Sequence, residues 1–283
     1  DLSKVKIKGA NLSEALFNSA KLYYIDFENV IFAGTFFKNS KFWNAKFRGV
    51  KLFAVSFYQA DLHGSDFTGS NLWKAYFIET NLYQANFSNT YISEPANTKD
   101  YKLDSYYRNS IVNFNKANLA GVNFSKSDLS GGAAFTDANL NSAQFIEANF
   151  SGAFFYNAKL ENANLTRANF SKANFTNSYL RNANLTKTNL KKAILCSADL
   201  AKANLTGANL SHSDLSSTFL SYSNMSNANL RGANLTGAQL VEVNIHKSIF
   251  TNCKVYGISS WGLKGIPKEQ NNIIITPEDE SII

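Results

Sequence analysis

Hydrophobic residues recur at every fifth position along nearly the whole chain. In the segment 198–210, Leu200, Leu205 and Leu210 each follow an alanine by two residues, and the other positions are polar or small. Leucines five apart form no stripe on a helix, which turns about 100° per residue. On a flat strand they point to opposite faces. The period is satisfied if each unit is a short straight side followed by a bend, so that the leucine and its alanine both point inward. Four sides predict a square coil of about twenty residues, stacked in parallel at about 4.8 Å.

The large inward position is filled mainly by phenylalanine in the first part of the chain and by leucine later. When the chain is folded onto twenty-residue coils, the phenylalanines align in two columns on opposite sides: Phe17, Phe37, Phe57 and Phe77, and Phe27, Phe47, Phe67 and Phe87. The residue before an inward leucine is often asparagine. These residues also align, as Asn149, Asn169, Asn189, Asn209 and Asn229, and as Asn164, Asn184, Asn204, Asn224 and Asn244. Stacked amides can hydrogen-bond along the axis of such a coil.

The five-residue register is broken twice. It fails from Ser93 to about Ser110, where Pro95 removes a ladder donor. We interpret this stretch as a protruding loop, with an irregular extra coil as the alternative. The register then slips by one residue at Gly131-Gly132, where glycine suits a bulge. These breaks divide the chain into a first block at 1–92, an interruption at 93–110, a second block at 111–256 and a C-terminal segment at 257–283.

The segment after Val255 is apolar and aperiodic. A solenoid end exposes its core and unpaired strand edges, so it needs a cap. Trp261, Leu263 and Ile266 are the candidate cap residues.

The repeat resembles that of the pentapeptide-repeat family, whose fold is a right-handed quadrilateral parallel β-helix. The resemblance covers roughly residues 1 to 256 apart from the interruption. It implies an all-β solenoid of about twelve coils, ~55–60 Å long from the coil spacing. Fold membership leaves the activity open. The segments 256–261 and 274–280 also look like the tails of bacterial pentapeptide-repeat proteins that continue into another domain, such as a Toll/interleukin-receptor-type effector.

The residues that usually carry chemistry are few and scattered. His63, His212 and His246 form no ligand spacing with cysteines or carboxylates, and no phosphate loop or nucleophile motif is present. We therefore expect no enzyme activity, cofactor or metal. Cys196 and Cys253 fall about three coils apart, too far for a disulfide, which fits a reducing cytoplasm. No apolar run is long enough to span a membrane.

Outward positions of the first block are rich in aromatic residues. The residue after each inward residue should face solvent, and exposed apolar stripes indicate interfaces. The expected partner is another protein or a second copy of the chain in a homo-oligomer. Local stabilisation across strands is the alternative explanation. The candidate interface residues are Tyr23, Trp43, Phe53, Tyr58, His63, Trp73, Tyr76 and Tyr83, with further contacts expected from Tyr101, Tyr106, Tyr107 and Arg108 in the interruption.

The net charge of +7 bears on two further hypotheses. Some pentapeptide-repeat proteins resemble duplex DNA and act on gyrase, but such mimicry calls for an acidic rod. Nucleic-acid binding is not expected either, because lysines on a solvated face explain the charge. The main prediction is a non-enzymatic interaction or self-assembly scaffold. The alternatives are a gyrase-directed DNA mimic and the recognition module of a defence or signalling protein with a downstream effector domain.

Overall fold

The computed structural model describes residues 7–94 and 111–275, which form a four-sided right-handed parallel β-helix. Each five-residue unit pairs through a short extended segment and then makes a two-residue turn. Six segments are regular strands: β1 (Ile31–Ala33), β2 (Lys51–Phe53), β3 (Val112–Asn113), β4 (Ala133–Ala134), β5 (Gln239–Val241) and β6 (Ser259–Trp261). They pair in parallel as β1–β2, β3–β4 and β5–β6, and single-residue bridges continue the ladders between them.

We number the four faces in the order in which the chain visits them, starting at Leu16. Each face is defined by the outward residues that bridge from coil to coil. Face 1 carries Leu16, Phe36, Ser56 and Tyr76; face 2 carries Lys21, Lys41, Asp61 and Asn81; face 3 carries Asp26, Lys46, Asp66 and Asn86; face 4 carries Asn11, Lys51, Asn71 and Tyr91. The two turn residues after each face form a corner.

The core confirms the predicted inward positions. Phe57 and Leu185 are fully buried. In the column of Phe27, ring centroids of Phe47 and Phe67 lie 4.7 Å apart with an interplanar angle of 2°. The opposite column contacts it edge to face, since Phe67 and Phe77 are 5.6 Å apart at 90°. Both geometries are favourable for aromatic pairs.

Most small polar residues of the interior hydrogen-bond their hydroxyls to backbone carbonyls, and the buried Ser223 Oγ, which has no partner among the described residues, is an exception. Ser65 Oγ donates to the Phe42 carbonyl at 2.9 Å, and Thr80 Oγ1 donates to the Phe57 carbonyl at 2.9 Å. Each such bond joins neighbouring coils, so a serine or threonine can replace the inward alanine without burying an unpaired polar group.

The two breaks in register have different consequences for the ladder. Asn118 Nδ2 donates to Asn81 Oδ1 across 37 positions, so the coils on either side of the interruption pair directly. At the second break the separation of paired asparagines is 21 rather than 20, as between Asn139 and Asn118. Gly132 lies there with φ of 111°, and a Cβ at this position would be 2.7 Å from Ile111 Cγ2. The predicted one-residue slip is therefore confirmed.

The C-terminal segment continues the helix instead of folding over its end. Strand β6 pairs with β5, and bridges join Lys264 to Asn244 and Ile274 to Lys254. The expected cap is therefore wrong for Trp261 and Ile266, and of the three candidates only Leu263 lies at the end of the core. Trp261 and Ile266 occupy corners and are 65% and 80% exposed, whereas Leu263 lines a cavity of about 220 Å³ at the end of the core. The hydrogen bonds between coils are made by backbone groups. They can therefore continue beyond the last five-residue repeat, where the pattern of inward side chains ends.

Candidate interaction surface

Four candidate residues form one column along the corner between faces 2 and 3. Tyr23, Trp43, His63 and Tyr83 follow the inward residue of four successive coils. Ring centroids of Tyr23 and Trp43 lie 4.5 Å apart, and those of Trp43 and His63 lie 5.3 Å apart. Tyr83 is 46% exposed, and the other three side chains are half-buried. We call these four residues the aromatic column.

Asp61 on face 2 holds the middle of the aromatic column in place. Trp43 Nε1 donates to Asp61 Oδ2 at 2.6 Å, and His63 Nδ1 lies 3.0 Å from Asp61 Oδ1. Asn81 Nδ2 in the next coil donates to the same oxygen at 2.8 Å. Partial burial raises the pKa of Asp61, but the bonds from His63 and Trp43 outweigh it, and the net pKa is lowered from the ordinary value. An ionised carboxylate thus fixes two rings at the surface.

Two other candidates lie at the opposite corner and are buried. Phe53 is only 3% exposed and Trp73 only 8%, so the expectation that they face solvent is wrong. They occupy the corner between faces 4 and 1, where their rings meet edge to face at 6.1 Å. Lys74 Nζ lies 4.2 Å from the centroid of the Trp73 ring. Neighbouring side chains thus cover a corner that the repeat pattern alone leaves open.

The remaining candidates are separated from the aromatic column by face 2. Tyr58 is half-buried at the corner between faces 1 and 2, with Lys38 Nζ 5.5 Å from its ring centroid. Tyr76 is half-buried on face 1. Tyr101, Tyr106, Tyr107 and Arg108 lie outside the described residues. The structure therefore groups four of the eight interface candidates and disperses the other four.

A groove of about 850 Å³ on face 2 of the second block was missed by the sequence analysis. Its floor contains Tyr179, Asp199 and Phe219 from three successive coils, and Tyr222 lies at its edge. Arg181 Nη2 bonds Asp199 Oδ2 at 2.8 Å across it. The signal was present, because Tyr179 and Phe219 are forty positions apart. Both precede an inward leucine, whereas the interface candidates other than Tyr76 all follow an inward residue.

Two kinds of feature are absent from the described parts of the chain. Residues 7–94 and 111–275 contain no cluster of three or more histidine, cysteine or carboxylate side chains able to hold a metal ion. The same two ranges contain no helix long and apolar enough to cross a membrane.

Comparison with known proteins gives a single family. The model described as pentapeptide repeats matches in eight copies, at residues 1–34, 37–69, 56–93, 112–131, 132–167, 163–200, 178–216 and 220–255. No curated protein sequence matches the chain.

Solved structures similar to this chain are also repeat proteins. A trypsin-treated form of QnrB1, a plasmid-mediated fluoroquinolone resistance protein, is 21% identical with a TM-score of 0.39, over 87% of this chain and 90% of that one. HetL, a pentapeptide repeat protein involved in heterocyst differentiation regulation in the cyanobacterium Nostoc, is 21% identical with a TM-score of 0.24, over 95% and 88%. A pentapeptide repeat protein from the Arabidopsis thaliana thylakoid lumen is 32% identical with a TM-score of 0.19, over 35% and 59%.

Proposed function

Because the chain belongs to the pentapeptide-repeat family, we propose that it is a non-enzymatic scaffold that binds a protein partner or a second copy of itself through the aromatic column. The observation that carries the proposal is the column of Tyr23, Trp43, His63 and Tyr83 on a rigid corner, in which the first three rings contact one another and Tyr83 is 46% exposed. Tyrosine and tryptophan are the usual anchors of protein interfaces.

Preorganisation supports the same role. The bonds from Trp43 Nε1 and Asn81 Nδ2 to Asp61 restrict the Trp43 side chain before any partner arrives. A ring that is already fixed loses little conformational entropy on binding. Face 2 borders the aromatic column and continues to the groove at Tyr179 and Phe219, so this side of the helix offers two aromatic regions.

Two free thiols, on Cys196 and Cys253, fit a reducing compartment, and the proposal places the scaffold in the cytoplasm. The same surface would serve a recognition module attached to an effector domain. A gyrase-directed DNA mimic is disfavoured by the net charge of +7, since a phosphate-like rod would be acidic.

The test removes three rings from the aromatic column by replacing Tyr23, Trp43 and Tyr83 with serine. We expect self-association, measured by sedimentation velocity, and capture of cellular partners to fall at least tenfold while the circular dichroism melt stays cooperative.

A matched control replaces Phe154, Tyr156 and Tyr256, which are exposed on face 1 and on its corner with face 2. This control should retain association. Unchanged association in the aromatic-column variant, or equal loss in both variants, would refute the proposal.

A further inference from the structure

Four lysines of the second block meet at the edges of face 4. Lys172, Lys191 and Lys192 lie at its corner with face 1, and Lys187 lies at its corner with face 3. The Lys172 amide donates to the Lys191 carbonyl at 2.9 Å, so these turns stack directly. Face 4 between the two corners is floored by a ladder of asparagine side chains. We call this four-lysine region the basic face.

These four charges have no acidic counterpart in the described part of the chain, and all four side chains are exposed. Two arginines bordering face 4 are paired, since Arg167 lies 3.5 Å from Glu147 and Arg231 lies 2.9 Å from Glu269. Four like charges on two adjacent coils repel one another. An external anion would relieve that repulsion.

The surroundings of the basic face select the kind of anion. The outward centre of face 4 carries only asparagine from Asn149 through Asn229. Hydroxyl residues, Ser171, Thr186 and Ser211, lie at its corners. At the corners of face 4 from Glu147 to Arg231, the imidazole of His212 is the one ring, and no tyrosine, tryptophan or phenylalanine lies there to anchor a protein, stack on unpaired bases or enter a membrane. Lysine with serine, threonine and asparagine is the set of residues that contacts phosphate without reading bases.

We propose that the basic face binds the phosphate backbone of double-stranded nucleic acid without sequence preference. This binding is independent of the aromatic column, which lies on the opposite side of the helix. Sequence alone favours a solvated lysine face as the explanation of the charge, because it does not show that lysines spread from position 172 to 192 lie together. One turn of the coil, twenty residues, places their two ends beside each other.

The number of lysines on the basic face determines how strongly the affinity for the duplex should depend on salt. About four neutralised phosphates give a slope of log K against log salt near −3.6, or about a 100-fold loss of affinity between 50 and 200 mM salt. Sequence-independent binding of this kind has a dissociation constant of about 10⁻⁴–10⁻⁶ M.

The experiment measures fluorescence anisotropy of a labelled 20-base-pair DNA duplex with the full chain across that salt range. Replacing Lys172, Lys187, Lys191 and Lys192 with glutamine should weaken binding at least tenfold and flatten the salt slope. Replacing the same four with arginine should retain binding, which separates charge from folding.

The matched control replaces four exposed lysines away from the basic face, Lys21, Lys116, Lys159 and Lys202, with glutamine, giving the same net charge. Equal loss in both glutamine variants, or no binding at 50 mM salt, overturns the proposal. Two further arms use poly-glutamate and phosphatidylserine vesicles at matched charge. Binding to either that equals binding to the duplex would identify an acidic protein or a lipid surface instead and likewise overturn it.

Discussion

Asp61 shows how a single half-buried charge organises a surface in this fold. Its carboxylate accepts bonds from Trp43 and Asn81 and contacts His63, so three coils depend on one ionised group. Asp66 on the neighbouring face is similar, since bonds from Thr68 and Arg48 outweigh its partial burial and lower its pKa. The pH dependence of the first block should therefore follow these carboxylates.

The first prediction at this scale concerns Asp61→Asn. Because the pKa of Asp61 is lowered on folding, its contribution to stability is present above the ordinary carboxyl pKa and is lost as the pH falls through the folded value. Asp61→Asn should lower the melting temperature at pH 7, and the difference from the unmodified chain should shrink towards pH 3. Asp137→Asn, on an exposed turn, serves as the control. A difference that is constant across this pH range would contradict the assignment.

A second prediction distinguishes the two cysteines. Burial raises the pKa of the Cys253 thiol to about 11, and its Sγ lies 3.0 Å from the Leu230 carbonyl. Cys196 is half-buried at a corner. The thiolate is the reactive form, so at pH 8 iodoacetamide should modify Cys196 and leave Cys253 intact until the chain unfolds. Mass spectrometry of Cys196→Ser and Cys253→Ser variants checks this. Equal native rates for the two thiols would show that the inward position is wrong.

At the scale of an element, the two asparagine columns form different hydrogen bonds, although both have the same position in the five-residue repeat. On face 4, Asn169 Nδ2 donates to Asn149 Oδ1 and Asn189 Nδ2 to Asn169 Oδ1, both at 2.9 Å. On face 3, Asn184 Oδ1 instead accepts from the amide and hydroxyl of Thr186 in its own coil. The bonds from Thr186 therefore engage the side-chain oxygen of Asn184 in place of an axial bond to the next coil.

Double-mutant cycles should separate these columns. Asn169→Ala and Asn189→Ala remove opposite ends of one axial bond, so their free energies of unfolding should couple by about 0.5–1 kcal/mol. Asn164→Ala and Asn184→Ala remove no shared axial side-chain bond, so this pair should couple less strongly than the face 4 pair. Urea denaturation of the four single and two double variants measures both couplings. If the effects of Asn169→Ala and Asn189→Ala on the free energy of unfolding were additive, the amide ladder would not stabilise the contact between coils.

The whole molecule is asymmetric around its axis. Faces 1 and 2 carry exposed rings such as Phe154, Tyr179 and Phe219, whereas face 4 of the second block carries amides and lysines. A filled interior with this outer division has no enclosed site among its described residues, and binding must use faces and corners. The proposed protein contact and the proposed phosphate contact thus occupy opposite sides of one rod.

The period of the sequence was sufficient to predict the interior. Every fifth residue had to point inward for the chain to close, so Phe57, Leu185 and both ring columns followed from spacing alone. The surface was less predictable, because equivalent repeat positions meet different neighbours. Trp43 and Trp73 both follow an inward residue, yet they are thirty positions, or one and a half coils, apart and therefore occupy opposite corners. Phe53 and Lys74 contact the Trp73 ring, and only the packed corner reveals that Trp73 is buried.

The central functional proposal is that partners bind at the aromatic column. Site-specific photo-crosslinking tests this proposal most directly. A photoreactive phenylalanine replaces Trp43 in one variant, Tyr83 in a second and Phe154 on face 1 in a third. We expect a discrete adduct from positions 43 and 83. An excess of unlabelled chain should compete with the labelled chain and remove this adduct, whereas an excess of the three-ring serine variant should not. An adduct from position 154 alone, or adducts at 43 and 83 that the serine variant competes equally well, would contradict the account.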